Sequence, residues 1–242
     1  MAYSLFISDL HLCAEQPQSM HVFLHFMQQI APKAEALYIL GDLFEYWAGD
    51  DDIDDPFNHQ ITDALRTLSV SGTGIHIMHG NRDLIMGQKL AQASGATLLT
   101  DPTLLNLYGT PTLLTHGDIL CTDDIDYQNF RKQVHDPAWQ QQFLDQPLIQ
   151  RKALIAQLRA RSENNKKHKS HDIMDVNLDA VADLLRKYHY PRMIHGHTHR
   201  LKRHLHIVDG HSCERWVLGD WHSTGNALRC DAAKCSWEMI TF

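Results

Sequence analysis

Three short apolar runs, Ser4-Leu5-Phe6-Ile7, Ala36-Leu37-Tyr38-Ile39-Leu40 and Ile75-His76-Ile77-Met78, each end abruptly at a polar or glycine-containing turn. Runs of this length, rich in large apolar side chains and bounded by turn signals, predict short buried strands. From about residue 122 to 190 the pattern changes to helical spacing. Phe143, Leu144, Leu148 and Ile149, then Leu154, Ile155 and Leu158, alternate with Arg151, Lys152, Arg159 and Arg161, which predicts amphipathic helices. Pro137 and Pro147 mark helix starts or breaks, the polar stretch 162–170 predicts a loop or frayed end, and a further helix is expected over 177–188 with Leu178, Val181, Leu184 and Leu185 on one face. The whole segment reads as a helical cap inserted into a single domain spanning residues 1–242. Beyond it, short segments at 205–208, 215–218, 226–229 and 236–241 predict antiparallel strands that complete a second sheet.

The polar residues that follow the apolar runs carry the chemistry. Asp9-Leu-His11, Gly41-Asp42, Gly80-Asn81-Arg82-Asp83, His116-Gly117-Asp118 and His195-Gly196-His197-Thr198-His199 supply carboxylates, an amide and imidazoles at predicted strand ends. That donor mixture suits Mn²⁺, Fe²⁺ or Zn²⁺, and their order along the chain suits two adjacent ions. If the local backbone is extended, residues two apart face the same way, so Asp9 with His11 and His197 with His199 can each converge on one site. The glycines before Asp42, Asn81 and His197 allow sharp turns at the carboxyl ends of the strands, where open α/β sheets place their ligands. Each motif taken singly is no more than a turn or a histidine-rich tract in a chain holding 18 histidines. Five in one order are not.

As a set these motifs resemble the calcineurin-like metallophosphoesterase superfamily. Within it, Ile39-Leu-Gly-Asp-Leu-Phe-Glu45, His79-Gly-Asn-Arg-Asp83, Thr115-His-Gly-Asp118 with Leu120-Cys-Thr-Asp-Asp124, Ile173-Met-Asp-Val-Asn177 and Ile194-His-Gly-His-Thr-His-Arg200 are similar to the UDP-2,3-diacylglucosamine diphosphatases of lipid A synthesis. The resemblance implies an α/β fold, a four-layer α/β/β/α sandwich with the helical cap inserted. It also implies two divalent cations, expected to be Mn²⁺, with Asp9, His11, Asp42 and His199 on one, Asn81, His116 and His197 on the other, and Asp42 bridging. The reaction it implies is attack of an activated water on the diphosphate, giving UMP and the diacylglucosamine 1-phosphate. Asp42, Asn81, Arg82 and His116 are the expected catalytic residues. Asn81, Arg82, Asp124, Tyr127, Arg159, Ser162, Lys166, Lys169 and His197 are the expected substrate contacts. Arg82 stands where many superfamily members place a histidine. A permanently charged planar fork suits it to clamping a diphosphate rather than donating a proton.

Charge is unevenly distributed. The net charge is -7, but residues 127–171 hold nine lysines and arginines against three acids, so this stretch carries +6 and the remainder -13. A basic island of that kind favours an anionic ligand or an anionic membrane surface. The acidic run Asp50-Asp51-Asp52-Ile53-Asp54-Asp55 reads as a solvated loop. Cys13, Cys121, Cys213, Cys230 and Cys235 form no Cys-x-x-Cys pair and read as small fillers in a reducing compartment. The first residues read as a strand rather than a signal peptide, and no run of about 18 apolar residues occurs that would span a bilayer. The expectation is a monomer at the cytoplasmic face of the bacterial inner membrane, acting on a lipid nucleotide and on no nucleic acid. A nuclease-like phosphodiesterase would share the metal centre, but it would need a basic groove lined with aromatics, and few stand among these charges. A non-catalytic scaffold of the same fold would not be expected to retain every ligand position.

Overall fold

The computed structural model describes residues 2–166 and 175–241, excluding the side chains of 161–166. Strand β1 (Tyr3–Ile7) lies parallel to β2 (Ala36–Leu40), β2 to β3 (Gly74–Met78) and β3 to β4 (Thr97–Leu99). The apolar runs are continuous because both faces of these strands are buried. Leu5, Ile7, Leu37, Ile39, Ile75 and Ile77 pack with Phe23, Phe26, Ile61, Leu65 and Leu90 of α1 (Pro17–Gln29), α2 (Pro56–Val70) and α3 (Gln88–Ser94). The alternate residues Phe6, Leu40 and Met78 point the other way, onto Leu107, Leu114, Ile194 and Trp216 of a second sheet. That sheet contains β5 (Thr103–Leu107), β6 (Thr110–Thr115), β7 (Arg192–His195), β8 (Lys202–Val208) and β9 (His211–Val217), in the order β5-β6-β7-β9-β8. Its outer face carries a third core, in which Leu113, Met193, Val208 and Cys213 meet Val181 and Leu185 of α7 (Leu178–Lys187). The result is the expected four-layer α/β/β/α sandwich.

Two assignments made from the pattern are corrected. The helix expected over 177–188 is α7, capped by the Asn177 side chain, but it forms the layer over the second sheet instead of joining the cap, since its Val181 and Leu185 have that sheet to bury against. Segments 226–229 and 236–241 become β10 (Gly225–Asp231) and β11 (Cys235–Ile240), and they extend the first sheet, not the second. Strand β10 pairs antiparallel with the open edge of β1, and its alternating Ala227 and Leu228 enter the helix-side and inter-sheet cores respectively. Alternation reports a strand but cannot choose between two available edges.

The cap consists of α4 (Ile125–Val134), α5 (Pro137–Leu144) and α6 (Leu148–Lys166). Asp124 caps α4 by accepting from the Tyr127 amide at 3.1 Å, and Asp136 caps α5, which starts at Pro137 as expected. Helix α6 continues through Lys166, so the first part of the stretch read as a loop or frayed end is helical. Residues 167–170 lie outside the described residues.

The acidic run is a solvated loop only in part: Asp51 and Asp54 are exposed, whereas Asp52 and Ile53 are buried. Asp50–Asp52 form a 3-10 turn whose Asp51 pairs with Arg151 and whose Asp52 stands 2.8 Å from Lys152 Nζ, while Asp50 accepts from the amides of Gly87, Lys89 and Leu90 at the start of α3. Four cations of the basic island, Arg131, Arg151, Lys152 and Arg159, are therefore engaged by acids of the sandwich or its loops. Among the described residues, that much of the charge segregation seen in the sequence is complementarity that docks the cap. Two of the five cysteines also differ from expectation. Cys230 and Cys235 are joined by a disulfide between β10 and β11, because the register sets them directly opposite one another, whereas Cys13, Cys121 and Cys213 are buried thiols, as small fillers would be. No described helix is long and apolar enough to cross a membrane.

Candidate metal centre

All seven expected metal ligands follow the carboxyl ends of strands. Asp9 and His11 come after β1, Asp42 after β2, Asn81 after β3, His116 directly after β6, and His197 and His199 after β7. The extended backbone on which that convergence depended is not what brings them together. Asp9, His11, Asp42, His197 and His199 all have left-handed backbone conformations, with φ of 55°, 49°, 52°, 66° and 56°. For residues with a Cβ this region is sparsely populated, so five such residues mark a centre whose strain is held by its surroundings. A left-handed residue reverses the chain direction locally, and two of them flanking a single residue bring Asp9 and His11 to one point without a strand.

The surrounding bonds are specific. Asp9 N donates to Gly41 O at 3.1 Å and His11 N to Asp42 O at 3.0 Å, which binds the first two loops together. Gly41 has φ +92°, and Gly80 passes so close to the Asp42 backbone that a Cβ there would collide with it. Asp83, fully buried, accepts from the amides of Gly80 and Leu43 at 2.8 Å and of Asp42 and Phe44 at 3.3 Å, tying the second loop to the third. Burial, and then the neighbouring Asp42 carboxylate, raise its pKa to about 6.

The side chains form two groups. In one, His11 Nε2 and His199 Nε2 face each other at 3.4 Å, with Asp9 Oδ1 3.3 Å from the latter and Asp42 Oδ2 3.9 Å from the former. In the other, His116 Nε2 and His197 Nδ1 stand 3.0 and 2.9 Å from Asn81 Oδ1, and Asp42 Oδ1 is 3.9 Å from His116 Nε2. Asp42 thus offers one oxygen to each group. Three of the imidazoles are oriented through their second nitrogen: His11 Nδ1 by Glu45 at 2.9 Å, His199 Nδ1 by Asp220 at 3.4 Å and His116 Nδ1 by the Leu40 carbonyl at 2.9 Å. Such outer partners are characteristic of histidines that ligate metals.

The electrostatics have the same sense. Burial opposes charge on His116, yet the carboxylates of Asp42, Asp9 and Asp118 overcome it and push its pKa to about 9. His199 is likewise opposed by burial but raised to about 10 by hydrogen bonds to Asp220 and Asp9. His197 is driven down to about 4, by burial and then by the adjacent His116. Converging carboxylates that draw protons onto buried imidazoles create a strongly negative site, and the donor set fits divalent cations.

The chain matches the calcineurin-like phosphoesterase model over residues 4–201. It belongs to that family. Within the family it is similar to proteins named UDP-2,3-diacylglucosamine hydrolase. The one from Aromatoleum aromaticum is 54% identical over 95% of this chain and 94% of its own length. The one from Cellvibrio japonicus is 49% identical over 98% and 99%, and one from Escherichia coli is 48% identical over 95% of both chains.

Of the other expected residues, Arg82, Arg159, Tyr127 and Asp124 are described. Arg82 Nη1 lies 3.3 Å from Glu45 Oε1, and Arg159 Nη2 of the cap reaches the same oxygen at 2.7 Å. The Tyr127 ring is 5.7 Å from that of His197, and its hydroxyl donates to Asp118 at 2.7 Å, so Tyr127 forms a wall whose hydroxyl is already engaged. Asp124 is the α4 cap described above. Ser162 and Lys166 lie on α6, with side chains outside the described residues, and Lys169 lies outside the described residues altogether. His195, first residue of the fifth motif, turns away from the ligands toward Arg215. Glu45, Asp83, Asp118, Asp220 and Arg215 were not singled out from the sequence. The first three sit within quoted motifs beside ligands, which was the available signal. Asp220 and Arg215 carried none.

Proposed function

We propose that the chain hydrolyses UDP-2,3-diacylglucosamine at its diphosphate, giving UMP and 2,3-diacylglucosamine 1-phosphate, as a metal-dependent step of lipid A synthesis. The observation that carries this reading is the coincidence of a complete two-group donor set with about half-identity, over nearly the whole chain, to proteins named for that hydrolysis. Asp9, His11, Asp42 and His199 would hold one cation, and Asp42, Asn81, His116 and His197 the other, with Asp42 as bridge. When bound, a pair of such ions, expected to be Mn²⁺, neutralises phosphate oxygens and acidifies the attacking water.

The chain's own residues supply the rest. Arg82 and Arg159 present two guanidiniums, from the third loop and from the cap, that suit bidentate contact with a diphosphate. Asp83 keeps Asp42 and Asn81 in register, and Asp118, engaged by Tyr127 and by Arg131 Nε at 2.8 Å, fixes α4 beside His197. Cap residues leave apolar surface unspent: Ile125, Phe130, Leu144 and Ile149 are exposed, the last at 78%. That surface supports accommodation of acyl chains and contact with an anionic membrane face, expected to be the cytoplasmic side of the inner membrane. Asp124, Tyr127, Ser162, Lys166 and Lys169 are proposed as further substrate contacts. A monomer is the proposed working unit.

The test is product analysis with the lipid nucleotide and with single-stranded DNA in the presence of Mn²⁺. Release of UMP from the first alone is expected. Asp42→Ala should lose nearly all turnover while retaining its fold, and a wild-type rate for that variant would contradict the bridge.

A further inference from the structure

The second sheet contains a buried cation that the proposed chemistry does not use. Arg215 on β9 is only 3% exposed, and His195 at the end of β7 is fully buried. The two strands are parallel with Met193 opposite Arg215, so Arg215 shares a sheet face with His195 two residues on, and its Nη1 lies 3.0 Å from His195 Nε2. Its Nε donates to His206 Nε2 at 3.0 Å. A buried charge whose described hydrogen-bond acceptors are two imidazoles is a costly substitute for an apolar side chain, which calls for a reason beyond stability.

We propose that Arg215 is a positioning residue of the metal centre, acting through the His195 ring to fix the two loops that carry His116, His197 and His199. A guanidinium can only donate, so the His195 nitrogen facing it must present a lone pair. The other nitrogen, Nδ1, lies 2.8 Å from Gly196 O, which can only accept. Two one-directional partners admit a single state of the ring: neutral, with its proton on Nδ1. A flipped ring or the opposite tautomer would set donor against donor and acceptor against acceptor.

That state clamps the turn. The bond to Gly196 O holds the start of the turn bearing His197 and His199, both in the sparsely populated left-handed region. Gly196 N donates in turn to His116 O at 2.9 Å, joining the fifth loop to the fourth. A Cβ on Gly117 would stand 2.7 Å from His195 Nδ1, so the ring is wedged directly under the fourth loop. Leu218 N donates to His195 O at 2.7 Å and anchors the strand end behind it. The chain of contacts His206, Arg215, His195, Gly196 therefore ends at three proposed ligands without touching any metal.

This inference rests on the reading that those histidines hold cations, so the test has one part independent of metal. In metal-free, full-length protein labelled with ¹⁵N-histidine, long-range proton–nitrogen spectra should show His195 neutral with its proton on Nδ1. Arg215→Met should lose that single signature. In Mn²⁺ titrations followed by calorimetry, Arg215→Met should weaken Mn²⁺ binding about 10- to 100-fold, the range for outer partners of ligand histidines. Should Arg215→Met fail to fold, His195→Asn and His195→Gln carry the test. Asparagine keeps a donor near the Nδ1 position and should lose less than about tenfold, whereas glutamine keeps only the acceptor toward Arg215 and should match the larger loss. A His195 proton on Nε2, Mn²⁺ affinity unchanged in Arg215→Met, or equal Mn²⁺ affinity in the two His195 variants would overturn the proposal. Wild-type protein that takes up no Mn²⁺ would defeat the metal reading itself, and this role with it.

Discussion

Replacing Arg151 with methionine separates the cap's anchorage from the catalytic centre. Arg151 is 2% exposed and donates to Gln146 O at 3.0 Å, to Ala48 O and to the Asp51 carboxylate. The three contacts are unequal. The Asp51 side chain is 58% exposed, so it is readily resolvated and its pairing is worth about 0–1 kcal/mol. The two carbonyl bonds come from a charged donor and each contributes about 1.5–3 kcal/mol, with Ala48 buried and unable to recover its partner from water. Methionine refills much of the stem's volume, which leaves a net loss of about 3 kcal/mol, or two orders of magnitude in the equilibrium that docks α6. Urea unfolding with hydrogen exchange across α6 should show that loss concentrated in the cap, together with a raised KM. Asp51→Asn, which deletes only the exposed partner's charge, should change stability by less than about 1 kcal/mol. Equal, small effects of Arg151→Met and Asp51→Asn would refute the reasoning, because they would mean that the salt bridge and not the buried carbonyl bonds describes this contact.

Asp83→Ala leaves four loop amides without their carboxylate and should destabilise the metal-free protein by about 3 kcal/mol or more in thermal unfolding, with Asp83→Asn costing less; an unchanged Tm would count against the stapling role. Glu45→Gln removes the anion that orients His11 and pairs with Arg82 and Arg159, so calorimetry should find Mn²⁺ affinity reduced about 10- to 100-fold and steady-state assays a raised KM. With His116 and His199 as the proposed ligands, whose pKa values the neighbouring carboxylates push up to about 9 and about 10, cation uptake displaces their protons. Mn²⁺ affinity should therefore rise with pH up to that range, with proton release visible as a dependence of binding heat on buffer ionisation enthalpy, and a flat profile would show that neither imidazole is a protonated group from which the cation displaces a proton.

The donors were legible because their chemistry is local. Asp9, His11, Asp42, Asn81, His116, His197 and His199 each follow an apolar run or sit in a glycine-containing turn, and residue type alone states what they can bind. Strand runs were legible for a related reason: burial on both faces removes polar residues, as in Leu5-Phe6-Ile7, where neighbours enter different cores. Less legible was the meaning of the charges. Nine cations between residues 127 and 171 suggested a ligand-binding face, whereas Arg151 and Lys152 meet an acidic turn a hundred residues away, and Arg159 meets Glu45.

The amino-acid sequence by itself thus determined which atoms could hold cations, that the runs before Asp9, Asp42 and Asn81 were buried strands and the segment before residue 162 amphipathic helices, and the order in which these were strung. Tertiary structure alone decided that β10 would close the β1 edge, that α7 would cover the second sheet, that five of the proposed ligands would adopt left-handed backbone, and that His195 would turn toward Arg215. Residue type and periodicity are properties of a chain read in one dimension. Pairing edges, charge partners and strained dihedrals are set by groups distant in sequence, and only packing brings them within a few ångströms.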